Sequence, residues 1–434
     1  MSNAKITLWG TEIGAVSWLP DRELGVFQYH PDFLQSGIQL SPIMMPLNDF
    51  PYQFPHLSKE TFRGLPGLLA DSLPDKFGNR IINAWLASQG RNSTSFNPVE
   101  RLCYIGTRGM GGLEFEPALL GPSLNSSEID VAKLVELSNR ILDQRTELAG
   151  VFSGQDDKEA MENILRVGTS AGGARAKAII AWNPVTNSFR SGQIDLPTEY
   201  EHWIIKFDGI SNNRDKEIAD PQGFGKIEYA YSLMAKQVGI LMSDCRLHDE
   251  GGRSHFMTKR FDRDQQGNKI HMQSLGAIAH ADFNISGGYS YEELLQTMKK
   301  MGLPQQDLEQ QILRTMFNIV ARNQDDHVKN IGFLMDRNGI WRLSPAFDVT
   351  YANNPQGAWT SQHQMSLNGK RDDFTIDDMC AFAKIAGIKN PRAKEMLEQV
   401  VQCIIRWPAY AQEADVSDEH LRKIKNAHRL SVLM

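Results

Sequence analysis

Apolar and polar positions alternate over residues 5 to 30, with Ile6, Leu8 and Trp9, then Ile13, Ala15, Val16 and Trp18, then Leu24, Val26 and Phe27. A period near two, broken at Gly10, Gly14 and Pro20-Asp21, predicts short strands joined by turns. Further on the period lengthens. The segment after Pro66 reads as a short helix ended by Pro74, and Arg80 to Leu86 as a second. Val131, Leu134, Leu137 and Ile141 recur at helical spacing, and residues 224–239 place Ile227, Ala230, Tyr231, Met234 and Val238 on one stripe that Gly239 closes. Ser290-Tyr-Glu-Glu293 and Thr375-x-x-Asp378 have the capping-box pattern that opens a helix. Residues 304–322, 393–407 and 417–430 complete a helical C-terminal half. Strand-like runs occupy Lys177 to Trp182, Glu201 to Asp208 and His255 to Arg263, and Ile331–Met335 with Ile340–Leu343 form a hairpin about Asp336-Arg-Asn-Gly339.

This order predicts an α+β chain with a β-rich start and a helical end. The turn-rich Gly121 to Ser127 marks a boundary, giving expected parts at 1–120, 128–264 and 265–434. Bulk composition changes little in that picture: 41% apolar and 23% charged residues are those of an ordinary globular chain. The net charge of −6 supplies no basic field for nucleic acid, so DNA contact would come from a local patch or a partner. No apolar run has the length of a bilayer span and MSNAKITLWG lacks a signal-peptide pattern, so a cytoplasmic location is expected, with no membrane partner. Cys103, Cys245, Cys380 and Cys403 are too dispersed for a zinc motif and read as buried thiols.

The densest chemistry lies in Ala321 to Thr350. Asp325 precedes Asn330 in the frame D-x-x-x-x-N, a hairpin follows, and Asp348 stands beyond it. Phosphoryl transfer needs a carboxylate to orient the attacking hydroxyl, with an amide oxygen and a second carboxylate to hold Mg2+. Asp326 competes with Asp325 but stands one residue short of that frame. Upstream, Val167 to Ala174 is a glycine-rich loop running into a strand at Lys177; its backbone amides can close on phosphate oxygens, and a plain hairpin loop explains it equally. Lys206 interrupts an apolar strand, which fits either a phosphate contact or an edge lysine reaching solvent, and Glu228 on the next helix is a candidate partner for it. The end of the strand His255 to Arg263 would be a hinge whose backbone meets adenine. Gly106 to Gly112 holds four glycines but lacks the phosphate-loop lysine, so it reads as a tight loop entering a strand.

Six segments together resemble the HipA family of serine/threonine-kinase toxins from bacterial type II toxin–antitoxin systems: Gly-Leu-Pro-Gly-Leu-Leu-Ala-Asp-Ser-Leu-Pro-Asp75, Gly-Ala-Arg-Ala-Lys-Ala178, Ile-Ile-Lys-Phe207, Lys-Arg-Phe-Asp-Arg263, Asp-Asp-His-Val-Lys-Asn330 and Pro-Ala-Phe-Asp348. The resemblance implies a bilobal, protein-kinase-like fold with an extra N-terminal β-rich subdomain and an all-helical C-lobe. It implies Asp325 as catalytic base, Asn330 and Asp348 as Mg2+ ligands, and ATP contacts from Gly168, Ser170, Gly172, Gly173, Ala174, Lys177, Lys206, Arg260, Phe261, His327 and Lys329. Ser170 falls on the family's autophosphorylated serine, with Thr169 adjacent. The implied partners are a HipB-like helix-turn-helix antitoxin, operator DNA mainly through that antitoxin, and a protein substrate, in the best-known case an aminoacyl-tRNA synthetase. Arg322-Asn-Gln before Asp325 and Val-Thr after Asp348 depart from eukaryotic kinases. Two other readings share these residues: a kinase-like scaffold that represses transcription with its antitoxin, and a small-molecule kinase.

Overall fold

The alternating start of the chain forms three antiparallel strands, β1 (Asn3–Leu8), β2 (Thr11–Leu19) and β3 (Leu24–Tyr29), and β4 (Leu113–Glu116) adds to the free edge of β1, giving the order β3-β2-β1-β4. Ile6, Ile13, Val16, Phe27 and Phe115 are buried; Gly14, expected as a turn, lies inside β2, where a register shift opposite Ile6 and Thr7 breaks the period of two, so that Ile13 and Val16, three residues apart, are both buried. The computed structural model describes residues 2–92, 95–119, 129–143, 164–165, 167–168, 175–192, 199–210 and 222–433. The chain divides into two compact units: Met1–Leu40, Met45–Gln222 and Arg246–Met272 form one, and Ser41–Met44, Gly223–Cys245 and Gln273–Met434 the other.

The first unit also holds a five-stranded sheet in the order β6-β5-β7-β9-β8, made of β5 (Lys177–Asn183), β6 (Ser188–Ser191), β7 (Glu201–Lys206), β8 (Cys245–Glu250) and β9 (Arg253–Lys259). Ala178, Ile180, Trp203, Ile205 and Met257 leave one face of this sheet and join a core with Phe77 and Ile81 of the helix Lys76–Ser88 and with Leu134, Leu137 and Ile141 of the helix Val131–Asp143. The helix Lys76–Ser88 starts earlier than its apolar pattern suggests, because Asp75 caps it by accepting a hydrogen bond from Gly78 N at 2.6 Å. The glycines of 106–112 serve packing. Gly111 sits at φ +72, and a Cβ there would lie 2.9 Å from Met272 N. Its N–H donates to Asp262 Oδ2 at 2.7 Å.

The second unit is helical apart from short strands. β10 (His271–Ser274) leads the chain into it and orders with β11 (Gly332–Met335) and β12 (Trp341–Leu343) as β10-β11-β12. The last two are the expected hairpin, paired Phe333 to Leu343, with Gly339 N donating to Asp336 O across the turn at 3.0 Å. Both expected capping boxes form, Ser290 with Glu293 and Thr375 with Asp378. The helix Gln305–Val320 runs through the middle of the unit: Ile312, Met316, Phe317, Ile319 and Val320 are fully buried. Tyr231 of the helix Phe224–Gln237 packs between Phe317 and Trp407, at ring-centroid distances of 6.2 and 5.4 Å. Its hydroxyl donates to Ala321 O at 2.7 Å, pinning the point where the central helix gives way to the loop that follows. No helix among the described residues is long and apolar enough to cross a membrane. Cys103, Cys380 and Cys403 are buried thiols; Cys245 is only half-buried.

Candidate active site

The loop after the helix Gln305–Val320 turns sharply at Arg322, which adopts the left-handed φ of 59°. Asn323 then fastens two segments, its amide donating to Asn318 Oδ1 at 3.0 Å and to Asp348 O at 3.4 Å. A short 3-10 turn, Val328–Asn330, ends the loop. It swings the Asn330 side chain back, so that Nδ2 donates to the carbonyl of Asp325 at 2.8 Å. With its nitrogen committed, the Asn330 amide presents its oxygen elsewhere, as a cation ligand must. The hairpin returns Asp348 to the same place: Asn330 and Asp348 line one small cavity of 30 Å³, together with Asn318, Asn323 and Asp326. Asp348 holds a φ of 53°, a conformation that residues with a Cβ adopt at a cost of about 1–3 kcal/mol.

The two adjacent aspartates part company. Asp326 is 4% exposed and accepts from Tyr291 Oη at 2.6 Å, His363 Nδ1 at 2.7 Å and Gln364 N at 2.7 Å. Burial pushes its carboxyl up, but the charge and hydrogen bond of His363, with Tyr291 and the Gln364 amide, outweigh that and hold it below the usual carboxylate range. Behind it, His363 Nε2 meets Arg429 at 3.4 Å, and Arg429 and Arg322 both pair with Asp372. Asp325 keeps 27% side-chain exposure. Its Oδ1 accepts from Trp359 Nε1 at 2.7 Å and lies 3.8 Å from His327 Nε2. Among the described residues its Oδ2 takes no hydrogen bond. An exposed carboxylate with one oxygen held and one open can receive a proton; one buried under three donors cannot.

The other expected positions in this unit stand nearby. His327 packs its ring against Phe283 and Trp359, at 5.7 and 6.4 Å. Lys329 Nζ lies 5.2 Å from the Phe283 ring centroid. Among the described residues no three His, Cys, Asp or Glu side chains cluster as a metal site. A cation at Asn330 and Asp348 would therefore complete its shell with oxygens from outside the chain, the habit of Mg2+ bound with phosphates.

The first unit carries the remaining candidates. Lys177 and Lys206 are direct partners across β5 and β7, on the face opposite the Ile180–Ile205 core. Like charges in that register repel, and an anion placed between them removes the repulsion. Lys206 Nζ also sits 5.6 Å from the Phe256 ring centroid. Gly168 is packed in the core rather than on an open loop: a Cβ there would meet Ile81 Cδ1 at 2.7 Å. Arg260 likewise turns inward. Its guanidinium bonds Asp262 at 2.8 and 2.7 Å with no side-chain exposure, and Arg263 joins at 2.9 Å. Burial raises Asp262 and the two arginines lower it by more, so it stays ionised. The Arg-Phe-Asp-Arg segment is thus built on a buried ion pair in which Arg260 Nη1 has no hydrogen-bond partner among the described residues, and Phe261 stands half-buried between its buried neighbours. Ser170, Thr169, Gly172, Gly173 and Ala174 lie outside the described residues.

Two family models match the chain. A model described as the HipA N-terminal domain matches residues 4–116, and one described as the HipA-like C-terminal domain matches residues 169–407. The chain belongs to the HipA family. The HipA of Shewanella oneidensis MR-1, solved as a complex with HipB and operator DNA, superposes over 99% of this chain and 96% of its own, with a TM-score of 0.66 at 18% identity. That likeness establishes the HipA fold. The protein Y4mE of Sinorhizobium fredii, whose description as a kinase is itself provisional, is 24% identical over 209 residues. The match spans 48% of that relative's length and 45% of this chain. The proinflammatory kinase CtkA of Helicobacter pylori aligns over 54% of the chain at a TM-score of 0.31, a likeness too slight to bear on fold or activity.

Sequence reasoning did not single out Trp359, His363, Gln364, Asp372 or Arg429. The one available signal was an isolated tryptophan in the otherwise polar loop Asn353 to Gln364.

Proposed function

We propose that this HipA-family chain is an ATP- and Mg2+-dependent protein kinase that phosphorylates serine or threonine. The observation that carries the reading is the half-open Asp325 carboxylate on a loop whose Asn330 is tied to the Asp325 carbonyl and shares a cavity with Asp348. In this reading Asp325 orients the acceptor hydroxyl and takes its proton as the new oxygen–phosphorus bond forms. The bond from the γ-phosphorus to the bridging oxygen breaks, and ADP leaves. Asn330 and Asp348 would hold the cation, which neutralises phosphate charge when bound. Lys177 and Lys206 would take phosphate oxygens.

The same proposal extends to a cytoplasmic toxin held by a HipB-like helix-turn-helix antitoxin, with operator DNA contacted mainly through the antitoxin and a translation-related protein, such as an aminoacyl-tRNA synthetase, as target. The complex formed by the Shewanella relative supports the partner. Phosphate on Ser170 would act as a brake, since a phosphoserine beside bound triphosphate repels it.

The test is incubation with labelled ATP and Mg2+, phosphosite mapping by mass spectrometry, and comparison of Asp325→Asn and Ser170→Ala. Loss of all labelling in Asp325→Asn, and of the loop site alone in Ser170→Ala, is the expected result. A wild-type chain that neither binds nucleotide nor incorporates phosphate would leave the non-catalytic repressor scaffold as the better reading. Labelling that survives Asp325→Asn would remove Asp325 from the role of base.

A further inference from the structure

The segment after Asp348 reaches back to three consecutive residues of the catalytic loop. Trp359 Nε1 donates to Asp325 Oδ1 at 2.7 Å. The side-chain amide of Gln364 donates to the carbonyls of both Trp359 and Gln324, while Gln364 N donates to Asp326 Oδ1 at 2.7 Å. His363 completes the attachment through Asp326 Oδ2. The indole is therefore not an adventitious neighbour of Asp325. Its carbonyl is linked to that of Gln324 through the Gln364 side-chain amide, and the segment that carries it is fastened to the buried Asp326.

We propose that Trp359 is a positioning residue for phosphoryl transfer, whose indole N–H holds Asp325 Oδ1 so that Oδ2 faces the acceptor hydroxyl. The inference rests on the kinase reading of Asp325 given above. A carboxylate on a partly exposed loop rotates about its Cα–Cβ and Cβ–Cγ bonds, and proton acceptance needs one rotamer. Indole suits the task chemically: it donates and cannot accept, so it cannot take the proton in place of Asp325. Being neutral, it orients the carboxylate without placing a formal positive charge on it. His327, at 3.8 Å from the same oxygen, is too far to replace that bond.

The test is Trp359→Phe, which keeps an aromatic ring and deletes the N–H. The expected result is a fall in kcat of roughly tenfold to a hundredfold with KM for ATP unchanged, because a misdirected base slows the chemical step without touching nucleotide binding. The unfolding midpoint serves as the control for folding. In the indole region of a 15N–1H spectrum, the resonance that Trp359→Phe deletes identifies Trp359, and it should shift in Asp325→Asn, where the acceptor loses its charge. A kcat equal to or above wild type, or an indole resonance indifferent to Asp325→Asn, overturns the proposal. If wild type labels its substrate and Trp359→Phe labels it equally fast, the positioning role alone has failed. If wild type labels nothing, the kinase reading has failed and takes this role with it.

Discussion

Replacing each member of the Asp325-Asp326 pair by alanine should give opposite phenotypes. Asp326→Ala removes the acceptor from Tyr291 Oη, His363 Nδ1 and Gln364 N, all inside a pocket where the Asp326 side chain is 1% exposed. Deleting one partner of a buried charged pair costs about 3–5 kcal/mol, because the donors left behind have neither water nor protein to bond. In a unit of roughly 150–250 residues each kcal/mol moves the unfolding midpoint by about 2–4 °C, so a fall of roughly 6–20 °C is expected. Asp325→Ala removes one hydrogen bond from a neutral donor to a partly exposed carboxylate, worth about 0.5–1.5 kcal/mol, and the midpoint should fall by about 1–6 °C. Thermal melts followed by circular dichroism separate the two. Phosphate incorporation should be abolished in Asp325→Ala despite its near-normal melt. Equal destabilisation by the two substitutions, or an Asp326→Ala melt indistinguishable from wild type, would refute the division of labour drawn between them.

Acid should weaken the first unit through its buried histidines. Burial depresses His255 to about 4 and His271 to about 3. The unfolded chain takes up these protons near pH 6.5 and the folded chain does not, so the stability they confer is complete above pH 6.5 and is lost as pH falls towards the folded values. Unfolding free energies from urea melts between pH 7 and pH 4.5 should decline by up to about 1.4 kcal/mol per pH unit for each histidine, and a flat profile would contradict their burial in the neutral form. Gly111→Ala combines a left-handed backbone with a Cβ 2.9 Å from Met272 N, so it should destabilise by about 1–3 kcal/mol or more. The same melts read it, and an unchanged midpoint would mean that the loop relaxes freely.

How much of this was legible in the sequence follows from how far each interaction reaches. The β1–β3 strands, the Ser290 and Thr375 capping boxes and the Asp336–Gly339 turn are decided within a few residues and form as the pattern indicates, except that Gly14, expected as a turn, lies within β2. The helix Lys76–Ser88 gained a turn because its start is set by the Asp75 cap rather than by apolar spacing. Arg260 shows where local reading runs out. Its place at the end of a strand gives no sign of the buried pair it makes with Asp262, whose Oδ2 also accepts from Gly111 N, 151 residues from Asp262 along the chain. Gly168 was legible as a residue that must be small. The neighbour that requires it, Ile81 Cδ1 at 2.7 Å from a Cβ placed there, is a tertiary fact that no local pattern announces.

The Asp-Asp pair carries the same lesson into the chemistry. Spacing to Asn330 singled out Asp325, but spacing alone supplies no reason for a second aspartate beside it. The structure supplies one. A loop that must present an open carboxylate cannot bury that carboxylate for support, so the neighbouring position takes the burial instead. Asp326 gathers Tyr291, His363 and Gln364 beneath the loop, and through His363 it reaches the Arg429–Asp372 pair. The segment so anchored is the one that returns Trp359 to Asp325. Identical side chains thus take opposite roles because the backbone between them directs one inward and leaves the other half open. The residues that make the distinction, at 359 to 364 and at 429, lie too far along the chain for any local pattern to announce them.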